Sequence, residues 1–312
     1  MSAVVALLRR QPMLVMLGAL VLVCAASVEG FLTLQNLASI LRQSTVLGCL
    51  ALGQTFVIAA GMLDLSVGSL VSLVVVLCAH LMDGHSGWAL PGALAALALG
   101  ATVGALTGLL NRLLAIHPLI LTLGMMTVLN GAVFVYTDQS AGAPSPAVTA
   151  LVESTVAGMP VAFLLVLATT LLCDAGLRRT RFGLHLLASG GEYDSARHAG
   201  IAVERMQFVA FALSGLFAGM AGLLLLGRLG TGYPNAGTGL ELDAIVAVVL
   251  GGASLAGGRA GMVASLCGAV LLGVVNNMLN LLDISSFVQM TAKGLIVLAV
   301  VIANQPPKRV YA

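Results

Sequence analysis

Charge is what this sequence has least of: 8% of its 312 residues are Asp, Glu, Lys or Arg, against 59% hydrophobic. Soluble domains carry roughly 25% charged residues, so a water-soluble globule is excluded, and a mean hydropathy of +1.07 places the chain in a bilayer. The apolar stretches run to about 20 residues without strict alternation, which predicts spanning helices rather than barrel strands. Cysteine is sparse as well. Cys24, Cys49, Cys78, Cys173 and Cys267 lie singly in apolar runs, with no C-x-x-C and no histidine pair beside them, and read as small core residues. Signatures of chemistry are missing too. No G-x-x-x-x-G-K-[ST] occurs and neither lysine follows a glycine, so no P-loop for ATP is present. H-E-x-x-H and G-x-S-x-G are absent, and five scattered histidines form no metal constellation. A net charge of +2 spread over several loops gives no nucleic-acid surface. Transport or interaction remains.

What is present is one all-α polytopic membrane domain, residues 1–312, of about ten transmembrane or re-entrant helices. The expected segments are 12–29, 44–60, 65–82, 88–110, 118–137, 158–177, 206–227, 241–256, 260–280 and 286–304. Arg9-Arg10 followed by an apolar run resembles a signal peptide, but the run from Pro12 to Val28 is long enough to span and is read as an uncleaved first helix. Breaks at Gly61 and at Gly257-Gly258-Arg259 leave almost no loop, and the short, glycine-interrupted 241–256 segment is a candidate re-entrant helix. With both termini cytoplasmic, Arg9, Arg10, Arg112, five arginines between 178 and 205, Arg259, Lys308 and Arg309 fall inside, as the positive-inside rule asks. Arg42 and Arg228 fall outside, and Lys293 lies within a span. The loop 138–157 is expected as an outer connector or lid, and 230–239 as an irregular outer loop. Gly104-Ala105 with Gly108 to Arg112 echoes Gly268-Ala269 with Gly273 to Asn277 at opposite parity, the mark of an inverted repeat.

The polar island 178–205, RRTRFGLHLLASGGEYDSARHAGIAVER, holds eight of the chain's formal charges. Gly190 and Gly191 are expected to form the entry turn of a two- to three-turn helix. Glu192 and Asp194 lie in its first turn, Arg197 and His198 near its end, and Gly200 stops it. Tyr193, Ala196, Ala199 and Gly200 share one side, a small face with one aromatic knob. This is read as the contact surface for a separate motor protein, against the plainer reading of a tidy connection. Tyr193, Ala196 and Arg197 are the expected core of the contact.

Polar groups at membrane depth each need an explanation. Asp64, followed by Ser66, is read as a helix cap rather than a solute contact, and Lys293 as paired within the bundle. Asn111, Asn130, Asn276, Asn277 and Asn280, with Thr122, Thr127 and Gln289, suit an uncharged, hydroxyl-rich solute or serve as helix glue. Asn235, Glu241 and Asp243 complete the candidates for a translocation path or gate.

Gly53-Gln54-Thr55-Phe56-Val57-Ile58 leading to Asp64-Leu65-Ser66-Val67-Gly68, Gly108 to Asn111, Pro118 through Gly124, Gly237 to Ile245 and Gly251 to Leu255 resemble the membrane permease of ribose-type carbohydrate-uptake ABC importers. Arg181-Phe182-Gly183 and Gly190-Gly191-Glu192 through Ile201 resemble that family's coupling loop. The likeness runs from about residue 31 to 304. It implies a multi-pass subunit of a bacterial inner membrane and a second permease copy or sister. It also implies a cytoplasmic ATPase carrying ATP and Mg, with no cofactor on this chain, and a periplasmic or lipid-anchored sugar-binding protein. Three departures stand out: Arg112 where the family often has Gly, Ala253 for Thr, and Glu192 for Asn. Competing readings are an ion-coupled secondary transporter, a non-transporting scaffold, and a same-superfamily permease for nucleosides, branched-chain amino acids or a furanone-type signal.

Overall fold

The computed structural model describes residues 12–27, 30–114, 116–285, 288–291 and 294–295. Most of the last expected segment, together with Arg9, Arg10, Lys293, Lys308 and Arg309, lies outside the described residues. The chain forms α1 (Pro12–Ser27), α2 (Leu34–Ala59), α3 (Val67–Met82), α4 (Ala89–Leu114) and α5 (Pro118–Tyr136). A short α6 (Pro146–Glu153) and a hairpin of β1 (Thr155–Val156) and β2 (Met159–Pro160) follow, then α7 (Val161–Arg179), α8 (Arg181–Gly191) and α9 (Tyr193–His198). The series closes with α10 (Val203–Leu229), α11 (Leu240–Leu250) and α12 (Met262–Leu281). Among the described residues, five helices are long and apolar enough to cross a membrane by length and composition. The protein is thus an all-α membrane bundle.

α2 is its axis, and starts ten residues earlier than hydropathy predicts. Every residue from Ser44 to Ala59 is buried. Its polar side chains are answered locally: the hydroxyls of Ser44, Thr45 and Thr55 donate to the carbonyls of Ile40, Leu41 and Ala51. A helix wrapped by other helices can carry such residues because lipid never meets them.

Glycines set how closely α4 and α10 approach. A Cβ on Gly100 or Gly104 would collide with the carbonyl oxygens of Gly215 and Phe211, and Gly215 and Gly219 are equally tight against α4. Small residues at such a crossing let backbones touch and gain dispersion contacts. On the other side of the bundle, α12 lies along α2 in the same manner. α3 meets α10 as α11 meets α2, and α3 meets α4 as α11 meets α12. Exchanging α2–α3–α4 for α10–α11–α12 preserves the packing pattern, and the echo in sequence falls on the exchanged pair α4 and α12.

The two ends of the bundle are distinct. At one end the backbones of three breaks meet: the N–H of Gly258 donates to the carbonyl of Ala59 at 3.2 Å, and Gly190 is seated on Ala59–Gly61 and against Gly257. This is the island end. At the other end Ala141 pairs with Gly232, and the N–H of Ala143 donates to Ala79. Residues 138–160 are therefore pinned rather than lid-like, with Val148 and Val152 of α6 packed on Gly227.

The candidate re-entrant segment 241–256 follows irregular chain over 230–239, which pairs with Ala141 at Gly232, and it ends beside the island, where Gly257 lies against Gly190. Its helix, α11, has eleven residues, about 16 Å of rise.

Candidate functional site

The island begins where α7 ends. Arg178 pairs with Asp174 at 2.8 Å, and Thr180 caps α8 by accepting from the N–H of Gly183. α8 is amphipathic, with Leu186 and Ser189 buried and Leu184 exposed. Gly190 and Gly191 are the last residues of this helix, not the entry turn of the next. Gly190 lacks a side chain because the Ala59–Gly61 backbone occupies the space a Cβ would need. Glu192, extended at φ −143 and ψ 107, makes the turn into α9.

α9 is six residues long, shorter than expected, because the chain closes quickly around Gly200 at φ +81. The N–H of Ile201 reaches back to the carbonyl of Ala196, a left-handed helix stop that favours glycine. The expected face also divides. Ala196 is buried, 5% exposed, and anchors α9, so it is not available to a partner. Tyr193, Asp194, Arg197, Ala199 and Gly200 are exposed. The Tyr193 phenol donates to Oε1 of Glu204 at 2.7 Å, and that bond raises its pKa above the ordinary phenol value.

Of the expected interior residues, five gather around the break 62–68. Asp64, 2% exposed, accepts at Oδ1 from the backbone N–H and hydroxyl of Ser66, at 3.0 and 2.6 Å. Its Oδ2 accepts from the Ser214 hydroxyl at 2.9 Å. The carboxylate thus closes the turn before α3, whose N-cap residue is Ser66, and ties it to α10. The Gln54 amide donates to the carbonyl of Asp64. Thr122 donates to the carbonyl of Leu63 at 3.4 Å, and Asn111 reaches Gln207 at 3.4 Å and the Met62 sulfur at 3.8 Å. Glu241 lies over Gly68, its carboxylate accepting from backbone N–H groups at the start of α11. The start of α3 and the first turn of α11 therefore lie close together, with Asp64 in the turn before α3 and Glu241 and Asp243 within the first turn of α11, where the helix dipole favours acids; the N–H of Gly237 donates to the Ser72 hydroxyl at 2.9 Å.

The rest lie elsewhere. Asn277 forms a reciprocal amide pair with Asn36, at 3.0 and 2.8 Å. Asn130, Asn276 and Asp243 are half-buried, Asn235 is exposed, Thr127 bonds within its own helix, and Asn280 accepts from Gln289. Gln54, Gln207, Ser214, Asn36 and Glu204 were not singled out from the residues. Only Gln54, inside a quoted motif, offered a signal; a lone serine among the apolar residues of α10 does not. All five cysteines are free and buried or half-buried.

With this geometry in view, the comparisons with known proteins are specific. The family described as branched-chain amino acid transport system / permease component matches residues 36–303. The ribose import permease of Escherichia coli (strain K12) is 38% identical over 95% of this chain and 94% of its own length. That of Bacillus subtilis (strain 168) is 38% identical over 93% and 91%. The L-arabinose transport system permease of Escherichia coli (strain K12) is 36% identical over 94% and 89%. No solved structure matches the chain.

Proposed function

We infer, from the premise that the chain belongs to the branched-chain amino acid transport system / permease component family, that it is the membrane-spanning subunit of an ATP-driven importer for a monosaccharide. Relatives named for ribose and arabinose import cover nearly its whole length, which supports a sugar over an amino acid. The island end faces the cytoplasm of a bacterial inner membrane, as do both termini. A separate ATPase with its nucleotide and Mg docks there, and a solute-binding protein approaches the opposite end. A second permease, identical or homologous, completes the path.

The observation that carries this reading is the seat of Gly190. It touches the break after α2 and the break between α11 and α12 at once, so displacing α8 and α9 acts on both broken helices. A push from a closing ATPase would shift them together, the contact surface being Tyr193, Asp194 and Arg197 with Glu192. Asp64, Ser66, Asn111, Thr122 and Glu241 would then sit where the inner halves move, as supports of a gate more than as solute ligands.

The test is uptake of radiolabelled pentose into proteoliposomes containing the chain, its ATPase and its binding protein. Tyr193→Ala and Arg197→Glu should abolish ATP-dependent uptake while membrane levels hold. Uptake driven by an ion gradient without ATP, or of leucine in place of the sugar, would overturn the assignment.

A further inference from the structure

The two arginines that break the charge bias share one cavity. At the end opposite the island, Arg42 of α2 and Arg228 of α10 line a space of about 190 Å³ with Ser39, Gln43, Val152 and Glu153. The Nε of Arg42 is buried and has no hydrogen-bond partner. Among the described residues the ion pair is Asp174–Arg178 alone. Glu153 thus stands beside both guanidinium groups without reaching ion-pair distance. Two arginines lining one space without a counter-ion, one of them with an unmatched buried N–H, are costly to keep there. An anion in that space relieves the cost.

We propose that this cavity binds a single phosphate group, that of an anionic phospholipid headgroup or free phosphate. Guanidinium forks match phosphate oxygens in shape and charge, and the Ser39 hydroxyl and Gln43 amide can add donors. Depth favours the lipid. Arg42 lies eight residues into α2, about 12 Å along its axis. α2 spans about 39 Å against a hydrocarbon core of about 30 Å, so the Cα of Arg42 falls below the headgroup boundary. Helical side chains lean toward the N-terminus, which for Arg42 is toward that boundary.

The experiment titrates the full chain, delipidated in detergent, with phosphatidylglycerol, phosphatidylcholine or inorganic phosphate, following the unfolding midpoint and the lipid retained by mass spectrometry. Phosphatidylglycerol should raise the midpoint. Arg42→Gln and Arg228→Gln should each weaken it about tenfold, the loss of one charge-assisted contact. Glu153→Gln, which removes the only anion from the cavity, should tighten it and guards against an arginine variant that fails to fold. An equal response to inorganic phosphate alone would keep the site and assign it to the free ion. Wild-type phosphatidylglycerol binding in the double arginine variant overturns the proposal. So does loss of solute-binding-protein capture with lipid binding intact, which would make the cavity a carboxylate dock instead.

Discussion

The Tyr193 phenol and the Glu204 carboxylate, 2.7 Å apart, join α9 to the first turn of α10. Arg197 and Arg112 add positive charge around Glu204. α10 in turn packs against α2, α3 and α4, so one exposed hydrogen bond and the buried methyl of Ala196 tie this six-residue helix to the bundle.

Tyr193→Phe should therefore lower transport without altering the shape of the contact surface. One exposed hydrogen bond is worth about 0.5–1.5 kcal/mol, so solute-stimulated ATPase activity of the assembled transporter should fall about two- to tenfold. Glu204→Gln should fall less, since the amide oxygen still accepts. The bond holds the phenol above its ordinary range, so its contribution is complete below that range and is lost only as pH rises through the raised value. The deficit of the Phe variant should be constant across neutral pH. Wild-type stimulation in Tyr193→Phe would assign coupling to Arg197 alone.

Hydropathy and glycine breaks made most helices legible; Asp64, expected from its glycine break to cap α3, accepts from Ser66, which is itself the N-cap residue. The misses have a common cause. Residues 34–43 look too polar to begin a span, yet Asn36 is matched by Asn277 on α12, 241 residues away. Tertiary partners turned an unpromising stretch into helix. Gly190 and Gly191 read as a turn because glycine favours turns, but Gly190 is glycine for closeness to another backbone. No local pattern distinguishes those two uses.

Asp64 separates capping from solute binding. Asp64→Ala removes an acceptor for three donors, leaving Ser66, Ser214 and the start of α3 unmatched, at about 1–3 kcal/mol for the buried polar groups. The unfolding midpoint in detergent should drop by several degrees. Asp64→Asn retains an acceptor for the Ser66 N–H, and the Ser214 hydroxyl can rotate to accept from the new amide, so both midpoint and uptake should stay near wild type. An Asn variant that folds normally and transports nothing would make the negative charge itself essential.

The Asn36–Asn277 pair should behave as helix glue. Paired amides in a membrane couple by about 1 kcal/mol, and each alanine strands its neighbour's amide. A double-mutant cycle with Asn36→Ala and Asn277→Ala, read by reversible unfolding in detergent, should show the double variant less destabilised than the sum of the singles. Strict additivity would mean that the pair contributes nothing beyond its separate contacts.

Two adjacent glycines give the sharpest contrast. A Cβ on Gly190 would overlap the carbonyl oxygen of Ala59 and come within 2.7 Å of the Gly61 nitrogen and 2.8 Å of the Ala60 carbonyl carbon. All of these are backbone atoms, so nothing can rotate away, and overpacking of this kind costs about 1–3 kcal/mol. A Cβ on Gly191 meets nothing closer than the Gly258 Cα at 4.0 Å, an ordinary contact. Gly190→Ala should lift α8 from the two breaks and reduce both the unfolding midpoint and ATP-dependent uptake, whereas Gly191→Ala should leave both near wild type. Because the two substitutions are chemically identical and one residue apart, a general change of helix propensity or of expression would affect them alike. Equal effects, in either direction, would show that the meeting of the three breaks at Gly190 does not govern coupling.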